Sequence, residues 1–288
     1  MELPHLPVLL SHVTERLAPH PNENVIDGTI GAGGHAEALL EKTGPNGRLL
    51  GLDADPSALK ISAERLARFG ERVTLVHANF TEMERVAREL EYGDVRLIIL
   101  DLGLSSMQLA DKRRGFSFDS DSLDMRAGTT GEVTAADLVN SLSELELANL
   151  IYRLGEEPRS RRIAKAIVNE RPFSSAKELS ETIERAVGRR GRIHPATRTF
   201  QALRMGVNHE LENLEQALPQ TVALLEVGGR VGILTFHSLE DRIVKRYLKD
   251  ETRVRVLTKH PVQATREEEL ANPRARSAKL RVAEKIVN

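Results

Sequence analysis

The chain contains no cysteine, which excludes disulfides, thiolate zinc sites and iron–sulfur clusters. Tryptophan is also absent, and aromatic residues make up only 3% of the 288 positions, too few for an extended base-stacking platform. No apolar run approaches the roughly 20 residues needed to cross a bilayer. Met1 to Leu10 lacks the basic segment and small-residue cleavage site of a secretory leader. These absences predict a soluble, cytoplasmic protein with no membrane partner. No spacing among the nine histidines matches a metal site, so no metal is expected.

What is present suits a folded enzyme of one large domain or two modest ones, since 40% of residues are hydrophobic. The formal net charge of -1 conceals a strongly uneven distribution. Between Arg153 and Arg204 stand 13 Lys and Arg against 6 Glu and no Asp. Such a segment is either a solvated helical surface or an electrostatic footprint for RNA.

Short apolar runs alternate with helix-like stretches over the first hundred residues, the pattern of βαβ units on a parallel sheet. Strands are predicted near Asn24–Asp27, Arg48–Asp53, Val73–His77 and Val95–Asp101. Asp55-Pro56 reads as a helix start, an acidic cap followed by proline at the first helical position. Beyond a polar stretch from Gly103 to Gly131, helical patterns follow one another. Thr134 with Asp137, Ser143 with Glu146 and Ser175 with Glu178 each fit a capping box. From Ala196 onward Phe200, Leu203, Val207, Leu211, Leu214 and Leu218 predict one long amphipathic helix. Strand signals resume after Gly228-Gly229 with Arg230–Phe236, then a helix over Leu239–Lys249 and strands near Arg253–Thr258 and Ser277–Glu284. The expected architecture is α/β: a discontinuous Rossmann-like domain over 1–105 and 218–288, interrupted by an all-helical insertion over 106–217.

The segment Asp27-Gly28-Thr29-Ile30-Gly31-Ala32-Gly33-Gly34-His35 follows the first strand and opens a helix. Glycines there let the backbone approach a ligand. Gly31, Gly33 and Ala36 satisfy the dinucleotide fingerprint, and Asp53 closes the second strand at the distance expected of a ribose-binding acid. A nicotinamide-dependent oxidoreductase is therefore one reading. Asp27 argues against it, because a carboxylate about 4 Å from a pyrophosphate costs roughly 4 kcal/mol at an effective dielectric of 20. S-adenosylmethionine carries an ammonium and a sulfonium but no phosphate, so the same carboxylate attracts it. Phe80, just past the third strand, is placed either to cover an adenine or to fill the core. Asp101 ends an apolar strand where ligand and acceptor would meet.

Several long strings resemble one family, the S-adenosylmethionine-dependent methyltransferases that modify the N4 amine of a cytidine in 16S ribosomal RNA (RsmH, or MraW). They are DGTIGAGGH (Asp27 to His35), DLGLSSMQL (Asp101 to Leu109), RGFSF with LDMR (Arg114 to Arg126), HPATRTFQALR (His194 to Arg204), FHSLEDRIVK (Phe236 to Lys245) and NPRARSAKLRVAEK (Asn272 to Lys285). The resemblance implies a class I methyltransferase sheet with an inserted helical RNA-recognition domain. It also implies donor contacts at Gly33, Gly34, His35, Asp53, Phe80, Asp101 and Gln108, to which the charge argument adds Asp27; Gln108 rests on the resemblance alone. Met107 stands where family members often have proline, and a loop after Lys249 is shorter, departures that touch the fit to RNA rather than the donor.

Methyl transfer to a cytosine amine needs the nitrogen in line with the sulfonium carbon and acceptors for its protons. The absent cysteine removes the covalent route to pyrimidine C5. Asp101 and Ser105 are the expected catalytic groups; His237, beyond the fifth strand, is expected either to bond the base or to cap the next helix. For RNA, Arg159, Arg161, Arg162, Lys165, Arg189, Arg190, Arg192 and Arg198 are the expected phosphate partners. The expected partner is small-subunit ribosomal RNA or the assembled small subunit; a homodimer is compatible with the sequence, as is a noncatalytic assembly factor that retains the donor pocket.

Overall fold

A computed structural model describes residues 7–104, 108–109, 111–128, 133–189 and 193–288. The chain divides into two compact units, Met1–Gly103 with Leu211–Asn288, and Leu104–Glu210.

The first unit is built on seven strands: β1 (Asn24–Asp27), β2 (Leu49–Asp53), β3 (Val73–His77), β4 (Val95–Asp101), β5 (Leu225–Thr235), β6 (Val254–Val256) and β7 (Lys279–Lys285). Their order is β3-β2-β1-β4-β5-β7-β6. β1 to β5 run parallel, and β7 is antiparallel to both β5 and β6. Apolar runs such as Leu97 to Leu100 arise because both faces of the sheet are covered. Ile26, Ile98, Leu100 and Ile233 pack on one face, and Val25, Leu97, Ile99 and Leu234 on the other.

Helices α1 (Leu10–Leu17), α2 (Gly34–Lys42), α3 (Pro56–Leu66) and α4 (Met83–Glu89) belong to this unit. Asp55 caps α3 through a bond from the Ser57 amide, with Pro56 at the first position. The second unit holds α5 (Ala135–Ser141), α6 (Glu144–Gly155), α7 (Ser160–Glu170), α8 (Ala176–Val187) and α9 (Thr197–Asn208). Thr134 and Ser143 complete capping boxes with Asp137 and Glu146. Ser175 caps α8, but the Glu178 carboxylate reaches the Ser174 amide, so that box is not reciprocal. Leu147, Ile151, Ile163, Ile167, Leu179, Ile183, Phe200 and Leu203 form a core of their own. Gly155 is required here: an added Cβ would strike the Arg198 carbonyl where α6 and α9 meet.

Two sequence expectations are corrected. The periodicity after Ala196 predicts one helix, but His209 adopts a left-handed conformation (φ 50°) and divides it into α9 and α10 (Glu210–Leu224). Apolar spacing is blind to such a break because the pattern continues across it; the units part here, ahead of the expected Leu218. The pair Gly228-Gly229 was expected to precede the fifth strand and instead lies inside it. Leu225 pairs with Val95 and Arg230 with Leu97, with a register shift between them. Gly228 has φ 87°, as a glycine bulge requires. After β5 come α11 (Ser238–Asp250) and α12 (Arg266–Ala271).

Candidate active site

Because β1 lies between β2 and β4 while β3 and β5 lie outside them, the strand order reverses its direction at β1/β4. Open α/β sheets hold ligands beyond the carboxyl ends of their strands at such a point. Three aspartates end strands there: Asp27 on β1, Asp53 on β2 and Asp101 on β4.

The β1 loop fixes their geometry. Gly31 (φ 52°) and Gly33 (φ 76°) supply left-handed turns closed to side chains at little cost only for glycine. The Gly31 amide donates to Asp53 Oδ2 at 2.9 Å and the Asp55 amide to Asp53 Oδ1 at 2.8 Å. The Thr29 amide donates to Asp27 Oδ1 at 3.1 Å, while the Asp101 amide donates to Thr29 Oγ1 at 2.6 Å. Gly34 opens α2 against Pro7 and Arg65. His35 is buried on that helix with Nε2 3.7 Å from Asp101 Oδ2. Phe80 is half-buried against the core, and an added Cβ at Gly28 would come within 3.3 Å of its own Cβ.

Burial dominates the electrostatics of this cluster. It pushes Asp27 up to about 8 and Asp101 up to about 7, and raises Asp53. Asp101 and Asp53 reinforce the rise at Asp27 by repulsion, and the Thr29 bond opposes it. At Asp101 the Arg274 guanidinium pulls the other way and Glu240 adds to the rise. Asp101 Oδ1 is buried with no hydrogen-bond partner among the described residues. Three crowded acids whose ionised forms burial disfavours offer no positive charge to a pyrophosphate and suit a ligand that brings positive charge and so favours their ionisation, which is the chemistry of S-adenosylmethionine.

The other expected residues are placed as follows. Ser105, Arg190 and Arg192 lie outside the described residues. Gln108 belongs to the second unit, where its side-chain amide donates to the Ala127 carbonyl at 3.2 Å. His237 is the cap of α11: the Glu240 amide donates to its Nδ1 at 3.4 Å, and its Nε2 lies 3.1 Å from Glu240 Oε1. Glu240 Oε2 in turn accepts from the Phe236 amide at 2.9 Å. Nδ1 thus takes the capping role that the sequence left open, while Nε2 is buried with no hydrogen-bond partner among the described residues.

Within the basic segment, Arg161, Arg162 and Lys165 are exposed on α7. Arg189 is exposed near Glu184 at 3.9 Å. Arg159 and Arg198 are committed differently. Arg159 Nε donates to Glu157 Oε1 at 3.0 Å, and Arg198 Nη1 donates to the Glu156 carbonyl at 3.1 Å while lying 4.0 Å from Glu157 Oε2. Glu157 is buried, while the side chains of Arg159 and Arg198 remain 37% and 49% exposed. Sequence reasoning missed Thr29 and Arg274. Each stood inside a quoted family string, but its tie to Asp101 runs between segments distant in sequence.

The strand order with its antiparallel seventh strand, together with the acid-lined loop after β1, defines a class I S-adenosylmethionine-dependent methyltransferase. The chain belongs to the MraW methylase family, whose model matches residues 2–286. It is 48% identical over 307 aligned residues to ribosomal RNA small subunit methyltransferase H of Dehalococcoides mccartyi, covering all of this chain and 88% of that protein. It is 49% identical over 311 aligned residues to the protein of the same name from Geobacter sulfurreducens, covering 99% of this chain and 100% of that one.

Proposed function

We propose that this enzyme transfers the methyl group of S-adenosylmethionine to the exocyclic N4 amine of one cytidine in 16S ribosomal RNA, in the cytoplasm. The observation that carries the reading is the cluster of Asp27, Asp53 and Asp101 around the β1 loop, in a chain whose relatives are named as small-subunit ribosomal RNA methyltransferases. When bound, the donor supplies an electrophilic methyl on a sulfonium. Asp53 would hold the ribose hydroxyls, Phe80 the adenine, and Gly33, Gly34, His35 and Asp27 the amino-acid end.

Asp101 is the group proposed to act on the acceptor. The N4 lone pair is delocalised into the ring, so an oxygen that accepts an amine hydrogen favours the pyramidal, nucleophilic form. Asp101 Oδ1 is buried and has accepting capacity to spare among the described residues. Asp101 receives the proton released when the nitrogen is alkylated. His237, which caps α11 through Nδ1, is proposed to bond the base through Nε2. Gln108 and Ser105 are proposed to complete the site, on the family resemblance. Exposed Arg161, Arg162, Lys165 and Arg189 are proposed to meet phosphates, together with Arg190, Arg192 and the partly exposed Arg159 and Arg198.

The test is to incubate labelled S-adenosylmethionine with small ribosomal subunits from cells lacking this gene and to map the labelled nucleoside. N4-methylcytidine at a single position is expected. Label on another base, or none on subunits and naked RNA alike, would refute the assignment.

A further inference from the structure

Helix α11 starts at the rim where β4 and β5 end. Leu234 pairs with Asp101 across the sheet, and an added Cβ at Gly103 would lie 3.5 Å from the ring of Phe236, which stands just before the helix cap His237. The faces of the helix differ sharply. Glu240, Val244 and Leu248 are buried, the last two in the core on one side of the sheet. At about 100° per residue, Arg242, Lys245, Arg246 and Lys249 fall within about 100° of arc on the opposite side. All four are exposed, and no acid shares their arc.

The acids that adjoin the helix are engaged elsewhere. Asp241 accepts from Arg281 Nε at 2.7 Å and from Lys279 Nζ at 3.3 Å. Glu240 Oε2 accepts from the Phe236 amide, and Glu251 accepts from both arms of the Arg253 guanidinium at 2.9 and 2.8 Å. Lys245 and Lys249 have no ion pair among the described residues. Arg246 reaches Glu215 on α10 at 3.8 Å, with the two side chains 73% and 56% exposed, a pair that solvent screens. The helix dipole accounts for a cation in the last turn, which is Lys249 alone.

We infer that this face of α11 is a docking surface for RNA phosphates, carried by the catalytic unit itself and separate from the basic segment of the helical unit. From Arg242 to Lys249 the stripe is about 10 Å long at 1.5 Å per residue. A stacked strand carries one phosphate per about 3.4 Å, so about three phosphates match that length. Among the described residues no large apolar side chain is exposed on α11, which disfavours a lipid surface. Its one aromatic, Tyr247, is half-buried, so the contact positions a strand without reading its bases. A strand held along α11 leads to the rim at Asp101. The choice of RNA as occupant rests on the proposed function; the cationic face does not.

The experiment compares the full chain with a triple variant, Lys245→Gln, Arg246→Gln and Lys249→Gln, in binding small ribosomal subunits from cells lacking this gene across a salt series. The slope of log affinity against log salt is expected to fall by about 2, at roughly 0.7 per lost single-strand contact. KM for subunits is expected to rise about tenfold at low salt with kcat within about twofold, while the thermal midpoint and S-adenosylmethionine binding stay at their wild-type values. Should the triple variant not fold, Lys245→Gln with Lys249→Gln takes its place, with a fall of about 1.4 expected. An unchanged slope and KM in the folded variant, with N4-methylcytidine still formed, overturns the inference and leaves the proposed function standing. Polyglutamate serves as the comparison anion: a variant that loses affinity for it but keeps affinity for subunits would make the occupant an acidic protein and equally overturn the inference. A lowered slope in a protein whose wild-type form labels another base would keep the surface and refute the proposed function instead.

Discussion

The Thr29 hydroxyl accepts the amide hydrogen of Asp101 at 2.6 Å, while the Thr29 amide donates to Asp27. One residue therefore joins the ends of the two strands that flank the switch point. Thr29→Val keeps the shape and removes the acceptor. Leaving that partly buried amide unsatisfied is expected to cost about 1–2 kcal/mol. Urea denaturation should show the loss, and donor affinity should fall with it. Thr29→Ser is expected to retain both.

The buried acids also set a dependence of stability on pH. Asp27 and Asp101 ionise near 3.8 without the fold and at about 8 and about 7 within it. Between those values the folded chain keeps protons that the unfolded chain has lost, so stability falls as pH rises, and the full penalty is present above about 8. Denaturation midpoints of the donor-free protein are expected to fall from pH 5 to pH 9. Asp27→Asn, which cannot ionise, is expected to flatten that decline; an equally steep decline in the variant would show that Asp27 is not its source.

Backbone strain at the loop separates two glycines that the sequence treats alike. At Gly33 a side chain would combine a φ of 76° with a contact 3.3 Å from Ser62, whereas at Gly31 the nearest atom is a carbonyl oxygen 3.8 Å away. Gly33→Ala is expected to destabilise by more than the roughly 1–2 kcal/mol of a left-handed alanine alone, and Gly31→Ala by about that amount. Thermal unfolding of the two variants checks the order.

The sheet and the site were legible in the sequence to different degrees. β1 and β4 lie where their apolar runs place them, because a strand buried on both faces leaves few polar choices, and the edge strand β3 follows its own apolar run Val73–His77. The acids Asp27, Asp53 and Asp101 were visible for the complementary reason: a charge ending such a run needs a purpose. His209 was hidden, since a histidine in the left-handed conformation leaves no mark on an apolar rhythm that runs on across the break. The commitment of Arg159 and Arg198 to Glu157 was hidden too, because arithmetic over a segment counts charges without their partners.

That difference divides the arginines experimentally. Replacing Arg161, Arg162 and Lys165 by glutamine is expected to leave stability unchanged, to weaken RNA binding and to lower the salt-dependence slope by about 2, from roughly 0.7 per lost single-strand phosphate contact. Arg198→Gln is expected to cost about 1 kcal/mol of stability, since its guanidinium is half-exposed and solvent screens the pair. Filter binding across a salt series, with denaturation of the same proteins, tests both halves.

The most direct test of the donor site is equilibrium binding by calorimetry, with S-adenosylmethionine and NADH titrated separately into the purified chain. The buried aspartates predict saturable one-to-one binding of the cationic nucleoside, weakened by Asp53→Ala, and no binding of the pyrophosphate-bearing dinucleotide. Tight NADH binding, or no heat with S-adenosylmethionine over a range of temperatures, would contradict the account.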